Sequence, residues 1–391
     1  MAATKPRLWT PDFVLVGVSG MLLLMSQSFL LASLPLFAVR RLGASPAQVG
    51  MLPGMVTIAS LIARPTAGYA VDRWGRRWIH IIFLLFVAGF SFGYGLVGSF
   101  VALLINRVAY GLFYGVANTA ATTVVTDLIP SERRGEGIGY FGVAQTLGMA
   151  VGPAIALQLL GQGDFRRLFF VGGGLALAAG LLAFPIRHPV VRNPRTHLHL
   201  SSLFERKVGS IALTVFCIMF GYGSLTSFIT LYAGQVGVGQ PGLFFSAQAV
   251  GTVLARLWSG PLYDRHGPRW VVSSGLGFLA LAYTGLALWR VPLGFFCAAF
   301  ASGVGLSMAY PALQAMTVNA VSAPRRGAAN ATFLAAQDLG LAVGSFLLGL
   351  VAQTLHNYSG MYLVAGGSAL LTAVLFYAVV LPHLGRIAIK A

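Results

Sequence analysis

Four ionisable side chains lie inside long apolar segments, where a charge could carry a proton or bind a solute. The acid is Asp338, and the bases are Arg64, Arg107 and Arg256. Asp338 lies about ten residues into its segment, which at about 1.5 Å per residue of helix places it about 15 Å deep. Charges at such a depth in a membrane are costly and usually functional. We therefore expect these four residues to couple protons or to contact a substrate.

Each of the four residues also has a structural alternative. Asp338 could form an ion pair with Arg107 or satisfy a helix terminus, and Arg107 could serve only as a hydrogen-bond donor. Arg64 and Arg256 could form structural salt bridges near the inner face of the membrane or provide an anion site. The sequence leaves these alternatives open.

The composition indicates that much of this chain is embedded in lipid. Hydrophobic residues make up 57% of the 391 residues and charged residues only 9%, against about 25% charged in soluble domains. The lipid bilayer is therefore the expected partner. The net charge of +17 could suggest nucleic acid, but the basic residues lie in short loops between apolar segments, so we expect no nucleic-acid partner.

The chemical motifs of enzymes and metal sites are missing from the sequence. Cys217 and Cys297 both fall within apolar segments, so they predict neither a disulfide framework nor a metal site. No His, Asp and Glu cluster of catalytic type occurs in a span, so we expect no enzyme and no cofactor. A phosphate-binding loop of the G-x-x-x-x-G-K-S/T type is also missing, so an ion gradient should supply the energy. A non-transporting scaffold or receptor is an alternative class.

The apolar segments predict an all-α membrane protein with twelve spans, because a spanning helix needs about 20 apolar residues. The spans are placed at 12–38, 47–71, 79–97, 101–124, 137–161, 167–187, 208–234, 240–263, 271–289, 293–318, 329–354 and 360–382. Predicted cytoplasmic segments hold 18 Lys and Arg residues against five outside. This asymmetry predicts that both termini lie in the cytoplasm, with the protein in the inner (plasma) membrane.

The two halves of the chain repeat each other at a constant offset of 192 residues. The string from Gly68 to Trp78 recurs from Gly260 to Trp270, and many later positions match without a gap. Below, the counterpart of a residue is the one 192 positions away. We expect an N-terminal six-helix bundle at 1–187, a cytoplasmic linker at 188–207 and a C-terminal six-helix bundle at 208–391, related by an axis along the membrane normal.

The repeated string resembles the signature loop of the major facilitator superfamily, roughly G-x-x-x-D-R-x-G-R-R. The resemblance covers essentially the whole chain and implies the twelve-helix fold of drug/proton antiporters. The matching residues, which the resemblance implies form a latch between the two halves, are Gly68, Asp72, Arg73, Gly75, Arg76 and Arg77 in the first copy and Gly260, Asp264, Arg265, Gly267 and Arg269 in the second. The second copy departs from the pattern at Pro268.

Two further motifs extend the resemblance. Arg107 and Gly111 match an R-x-x-x-G motif, whose arginine is tied to proton coupling in the family. Gly148, Gly152 and Pro153 match a G-x-x-x-G-P motif of antiporter-type exporters, which allows close helix approach and a bend. Ordinary small-residue packing is the alternative for this last motif. The two glycines that usually follow it are replaced by Ala156 and Leu157, which weakens the exporter inference.

Polar and aromatic residues in several spans could line a central cavity, since spans one, four, seven and ten face it in this family. The expected lining residues are Gln27, Tyr114, Asn118, Gln145, Tyr222, Tyr310 and Gln337. The first and seventh spans carry no deep acid, so the cavity should be net positive. That disfavours a strictly cationic substrate and suits a neutral or anionic one.

The residues and the resemblance together predict a monomeric secondary transporter. We expect proton-coupled export of small organic molecules, including drugs, by alternating access. Export of anionic metabolites or opine-type metallophores is the first alternative, and solute uptake by a symporter is the second.

Overall fold

The computed structural model describes residues 7–130, 133–160, 163–187, 205–322 and 325–382. Within these ranges, it describes every side chain except those at 65, 68, 69, 72, 134, 135, 260, 261, 263, 264, 266 and 327. The predicted linker at 188–207 therefore lies outside the described residues, except at its last three positions.

The described part of the chain is helical throughout and contains no β-strand. The helices are α1 (Pro11–Leu42), α2 (Pro46–Trp74), α3 (Arg76–Gly93), α4 (Phe100–Leu128), α5 (Arg134–Leu160), α6 (Phe165–Ala183), α7 (Gly209–Gln235), α8 (Leu243–Leu288), α9 (Pro292–Asn319), α10 (Arg326–Thr354) and α11 (Tyr358–Leu375). Short 3-10 turns cover Tyr94–Leu96 and Arg206–Val208, and a π-helical turn at Phe376–Val380 extends α11.

Polar residues in the loops set the starts of three helices. The side chain of Ser99 accepts a hydrogen bond from the backbone N–H of Ala102 at the start of α4. The side chain of Asp164 likewise accepts hydrogen bonds from backbone N–H groups at the start of α6, and that of Asn357 accepts one at the start of α11. Such caps satisfy backbone donors that have no partner within the helix. In the predicted topology all three helices begin on the outer side.

Two counterpart glycines interrupt the helices at the repeated loops. Gly75, with φ 93°, separates α2 from α3, and Gly267, with φ 77°, breaks α8 into two arms. A positive φ of this size is readily adopted by glycine and strained for other residues. The sequence predicted separate spans at 240–263 and 271–289, and the structure places them as these two arms. Counting the arms separately gives twelve helical segments.

Eleven segments of the described chain are long and apolar enough to cross a bilayer. They coincide with eleven of the twelve predicted spans, ten of them within four residues at each end; Pro46–Arg64 ends seven residues before the predicted span at 47–71. The predicted span at 240–263 is helical as the first arm of α8, but it is not among the eleven. The multi-span, all-helical architecture is thus present, while the count of twelve spans stays a prediction.

The chain divides into two compact units. The first unit combines Met1–Leu42 with Ile58–Leu198, and the second combines Gly43–Thr57 with His199–Ala391. In the first, α1 packs against α5 and α6, and α3 packs against α4 and α6; in the second, α7 packs against α10, and α8 packs against α9 and α11. The division assigns the first part of α2 to the second unit, so the predicted domain boundaries stay a prediction.

Candidate functional site

In the first unit, Arg107 is enclosed by tyrosines. The side chain of Arg107 is only 1% exposed, and its Nη1 donates a hydrogen bond to the hydroxyl of Tyr94 across 3.2 Å. Its guanidinium carbon lies 5.9 Å from the ring centroid of Tyr94 and 5.6 Å from that of Tyr110. Aromatic faces attract a cation, and more strongly once it is desolvated. The protein therefore holds a buried positive charge in an aromatic cage.

The aromatic cage continues along α4 to a predicted cavity residue. Tyr114 is four residues beyond Tyr110, and the two rings stack with centroids 5.9 Å apart and planes 10° apart. Tyr114 is buried at this stack. Sequence reasoning identified Arg107 and Tyr114 but missed Tyr94 and Tyr110. The i, i+3 spacing of Arg107 and Tyr110 was a usable signal, whereas Tyr94 reaches the site from the turn after α3.

In the second unit, Asp338 lies on α10, the helix that packs against α7. Its side chain is 5% exposed. The Ala328–Thr354 segment that contains it is apolar enough to span a membrane, with Asp338 away from both ends. The structure thus places the predicted acid in a buried position within a candidate span.

Two predicted cavity residues, Tyr310 and Gln337, form a hydrogen bond, and Gln337 directly precedes Asp338 in the sequence. The hydroxyl of Tyr310 on α9 donates to the amide oxygen of Gln337 on α10. One turn further along α9, the Nε2 of Gln314 donates to Oδ1 of Asn330, with 3.2 Å between the atoms. Together these four residues form a polar seam between α9 and α10. Gln314 and Asn330 were missed, although each is polar and lies one or two helical turns from a predicted residue.

Tyr222 lies in a second polar group of the same unit. Tyr222 is half-buried on α7. Nε2 of Gln248 on α8 donates to the hydroxyl of Ser302 on α9 across 3.1 Å, which links these two helices. The remaining predicted cavity residues, Gln27, Asn118 and Gln145, are half-buried in the first unit.

The two symmetric arginines differ in exposure. Arg64 is half-buried on α2, whereas Arg256 is exposed on the first arm of α8. The four predicted charged residues are therefore distributed over both units. The described geometry brings Arg107 together with tyrosines, and Asp338 lies next to Gln337 in sequence.

The first signature loop holds an ion pair. Arg76, buried at the start of α3, pairs with Asp127 near the end of α4. Arg77 donates to the carbonyl of Phe184 across 3.3 Å, while Arg73 is exposed. The sequence analysis did not identify Asp127 as a functional residue. Its position at the predicted inner end of a span could have indicated an ion pair with an arginine of the loop.

The second signature loop is different. The counterparts of Arg76 and Asp127 are Pro268 and Asn319, so this ion pair cannot form there. Arg265 is exposed, and the guanidinium of Arg269 lies 5.1 Å from the ring centroid of Tyr377. The structure does not describe the side-chain positions of Gly68, Asp72, Gly260 and Asp264, so their predicted roles stay predictions.

The glycines of the fifth span bring two helices into backbone contact. A Cβ at Gly148 would overlap the carbonyl oxygen of Met21, and one at Gly152 would meet that of Met25. The hydroxyl of Ser28 on α1 donates to the carbonyl of Gly148 across 3.2 Å. α5 continues as a helix through Pro153. Only glycine permits this approach of α5 to α1.

The same contact recurs in the second unit. A Cβ at Gly340 would overlap the carbonyl oxygen of Phe216, and one at Gly344 that of Phe220, so α10 approaches α7 as α5 approaches α1. Gly340 and Gly344 are the counterparts of Gly148 and Gly152. The repeat seen in the sequence is therefore also a repeat of helix packing.

Two loop arginines at counterpart positions use different acids. Arg133, which directly precedes α5, forms an ion pair and a hydrogen bond with Glu136 of that helix. The hydrogen bond raises the pKa of the Arg133 guanidinium. Nε of Arg325 lies 2.7 Å from Oε2 of the buried Glu205, just before α7. The hydrogen bond from Arg325 lowers the pKa of the Glu205 carboxyl. Glu205 is further held because its N–H donates to the hydroxyl of Thr332 across 2.9 Å.

Within the ranges that the structure describes, no group of three or more His, Cys, Asp or Glu residues could hold a metal ion. The candidate residues form separate groups: the caged Arg107 in the first unit, and the buried Asp338 with the polar groups around Tyr310 and Tyr222 in the second.

Three known proteins are similar to this chain over most of its length. The chain is 24% identical to the staphylopine export protein of Staphylococcus aureus, covering 83% of this chain and 85% of that protein. It is 26% identical to the multidrug resistance protein MdtG of Escherichia coli, covering 94% of each. A crystal structure of a bacterial homologue of the human lysosomal transporter Spinster has a TM-score of 0.81 at 15% identity, covering 94% of this chain and 95% of that one. The last similarity concerns the fold alone.

The sequence model of the Major Facilitator Superfamily matches residues 16–241 and 211–388, so it covers nearly the whole chain. Relatives in this family are transporters and not enzymes. With eleven candidate spans and this match, the protein is a multi-pass membrane transporter that belongs to the major facilitator superfamily.

Proposed function

We propose that this protein exports small organic molecules, drugs among them, in exchange for protons by alternating access. The observation that carries the proposal is Asp338, a 5% exposed carboxyl within a candidate span. A carboxyl at that position can exist as a charged base or as a neutral, proton-carrying acid, which is what proton exchange requires. The similarity to a protein named for multidrug resistance supports organic molecules as substrates.

Arg107 supplies the second charged group of the proposal. Its caged guanidinium lies in the first unit, and the buried carboxyl of Asp338 lies in the second. The polar seam of Tyr310, Gln337, Gln314 and Asn330 offers donors and acceptors to a solute. The signature loops would act as the latch, with the Arg76–Asp127 pair bracing the first of them.

The proposal is tested with purified protein in liposomes that carry an imposed pH gradient. Efflux of a lipophilic dye or drug should follow the gradient in the wild type and stop following it in Asp338→Asn. Glu136→Gln is the matched control, because it removes an exposed acid from the end of a span. Gradient-driven transport that is unchanged in Asp338→Asn would contradict the proton role of Asp338.

A second candidate is export of anionic metabolites or opine-type metallophores. Three arginines lie within the predicted spans against one deep acid, which favours an anionic solute. The similarity to the staphylopine export protein supports the same candidate. Uptake by a symporter is a third possibility, for which no contact in the described residues argues specifically.

Thermal unfolding of the purified protein separates the two leading candidates. A panel of lipophilic cations, neutral drugs and polycarboxylates is added at two pH values, and a ligand at 100 times its Kd should stabilise the protein by about 2.7 kcal/mol. Stabilisation by carboxylates that disappears in Arg64→Gln or Arg107→Gln favours anion export. Stabilisation by cations alone contradicts the prediction of a net positive cavity.

We also propose that the protein is a monomer in the inner (plasma) membrane with both termini in the cytoplasm. The excess of Lys and Arg in the predicted cytoplasmic loops supports this orientation. A reporter fused to the C-terminus, active only in the cytoplasm, tests it directly. A reporter that is active only on the outer side would reverse every inner and outer assignment made above.

A further inference from the structure

Three side chains of the second unit meet where the second arm of α8 begins and α11 ends, and a fourth, Trp270, is next to one of them in sequence. Arg269, Trp270 and Ser273 begin the second arm of α8, directly after the break at Gly267, and Tyr377 lies just beyond α11. The guanidinium of Arg269 lies 5.1 Å from the ring centroid of Tyr377, and the hydroxyls of Ser273 and Tyr377 are 2.7 Å apart. We refer to these four residues as the Arg269 cluster.

Hydrogen bonding fixes the direction of the Tyr377 hydroxyl. The hydroxyl of Ser273 donates to the carbonyl of Arg269 across 2.7 Å, which uses its one proton. The hydroxyl of Tyr377 must therefore donate to Ser273. The ring of Tyr377 is thus held in place beside the guanidinium. The π-helical turn at Phe376–Val380, a feature that often marks functional sites, positions it.

The charge of Arg269 is available to bind an anion that is not part of the protein. Its side chain is exposed, and among the described residues it takes part in no ion pair. A guanidinium has five N–H donors in a planar fork that matches phosphate oxygens. The contact with Tyr377 fixes the fork without neutralising its charge.

The surroundings of the Arg269 cluster are those of a membrane interface. Trp270 is 61% exposed and Tyr377 41% exposed, as expected of aromatic residues at the level of lipid headgroups. On α11, the exposed Val374 and Leu370 lie three and seven residues before Tyr377, so they share its face. An apolar stripe that could contact an acyl chain therefore ends at the cluster.

We propose that the Arg269 cluster binds the phosphate of an anionic phospholipid. Arg269 donates to the phosphate oxygens, Trp270 and Tyr377 flank the headgroup, and an acyl chain lies along Val374 and Leu370. In the orientation we propose above, this is the cytoplasmic leaflet, whose negative surface attracts basic residues near the membrane. The proposal does not depend on which solute the protein carries.

The counterpart positions in the first unit provide a comparison within the same chain. Arg77 and Trp78 are the counterparts of Arg269 and Trp270, but Ile81 and Pro185 replace Ser273 and Tyr377. Arg77 lies 5.6 Å from the ring centroid of its neighbour Trp78 and donates to the carbonyl of Phe184. The first unit therefore has an exposed arginine next to a tryptophan without the hydroxyl pair that orients the guanidinium in the second.

Native mass spectrometry of the full-length protein in detergent tests the site. Phosphatidylglycerol and phosphatidylcholine are titrated against wild type, Arg269→Gln, Tyr377→Phe and the matched control Arg77→Gln. We expect tighter binding of phosphatidylglycerol than of phosphatidylcholine, a loss of about tenfold in Arg269→Gln, a smaller loss in Tyr377→Phe, and little change in Arg77→Gln. A tenfold loss corresponds to about 1.4 kcal/mol.

Three results would overturn the proposal. Equal losses in Arg269→Gln and Arg77→Gln would mean a general charge effect and no built site. Equal binding of the two lipids would show that the net negative charge of the headgroup, which choline cancels in phosphatidylcholine, does not decide binding. Displacement of phosphatidylglycerol by millimolar glycerol phosphate would assign the cluster to a soluble anion. Thermal unfolding confirms that each variant is folded, and Arg269→Lys, which keeps the charge but not the fork, should bind at an intermediate level.

Discussion

Arg76 at the start of α3 and Asp127 near the end of α4 form an ion pair that the second unit cannot repeat, because Pro268 and Asn319 occupy the counterpart positions. The side chain of Arg76 is 8% exposed and that of Asp127 21%. Removing one member of a buried pair costs more than the pair contributes, because the other charge loses a partner. The signature loop of the first unit is therefore tied to the fourth helix.

The Asp127→Asn variant should unfold at a lower temperature than the wild type. We expect a loss of about 1–3 kcal/mol, because the buried guanidinium of Arg76 loses a charged partner. The measurement is thermal unfolding in detergent. Glu136→Gln is the control: its pair with Arg133 is on the surface and should contribute little to stability. Equal effects in the two variants would contradict the assigned importance of the buried pair.

The Asp72→Asn variant should transport more slowly while it still inserts into the membrane. If Asp72 stabilises one state of the transport cycle by about 1.4 kcal/mol, the rate falls about tenfold when that interaction is lost. Initial transport rates are compared with the amount of protein in the membrane, and Asp264→Asn tests the second copy in the same way. Wild-type rates in Asp72→Asn would rule out a latch at this position.

A side chain at Gly148 should push α5 away from α1. Gly148→Ala places a Cβ against the carbonyl oxygen of Met21, and such overpacking costs about 1–3 kcal/mol. Gly142→Ala on the same helix is the matched control, because a Cβ there meets nothing within 4 Å. That control should be neutral or slightly stabilising, since alanine favours helix over glycine by about 0.5–1 kcal/mol. Thermal unfolding of both variants decides whether the close approach matters.

Two tyrosines of the Arg107 cage should respond differently to loss of the hydroxyl. Tyr94→Phe removes an acceptor from a buried guanidinium and should cost about 1–2 kcal/mol. The hydroxyl of Tyr110 is buried without a hydrogen-bond partner among the described residues, so Tyr110→Phe should be neutral or stabilising. Both variants keep the ring that faces the cation. A larger loss in Tyr110→Phe than in Tyr94→Phe would contradict this description of the cage.

The Glu205–Arg325 pair predicts a loss of stability in acid. Arg325 lowers the pKa of the Glu205 carboxyl in the folded protein below its ordinary value of 4.5. The unfolded chain therefore takes up a proton first as the pH falls, so this contribution is present above about pH 4.5 and is lost below it. Glu205→Gln should unfold at a lower temperature at pH 7 and show a smaller further decrease at pH 3.5. A parallel pH dependence in variant and wild type would contradict the linkage.

The sequence predicted the spans and the repeat because both depend on local properties. Runs of apolar residues set the helix positions, and Gly75 and Gly267 mark the breaks, since the backbone there adopts a positive φ. The family and its transport class followed from the signature loops and are confirmed. The predicted span at 240–263 is helical as the first arm of α8, and its crossing of the membrane stays a prediction.

The partners of the charged residues were not predictable in the same way. Arg107 meets Tyr94 from a different element, and Arg76 meets Asp127 from 51 residues away. Such contacts depend on how helices pack, and a pattern of apolar residues does not specify which polar side chains face each other. The seam of Gln314 and Asn330 was missed for the same reason, although its neighbours Tyr310 and Gln337 were identified.

The glycine contacts of α5 with α1 and of α10 with α7 have a mechanical consequence. Where backbone touches backbone, no side chain lies between the helices to change rotamer, and sliding one past the other would drive carbonyl oxygens into Cα atoms. Each pair is therefore stiff against shear. A force applied to one helix of a pair is transmitted to the other. Each pair, α1 with α5 and α7 with α10, should therefore move as one rigid unit.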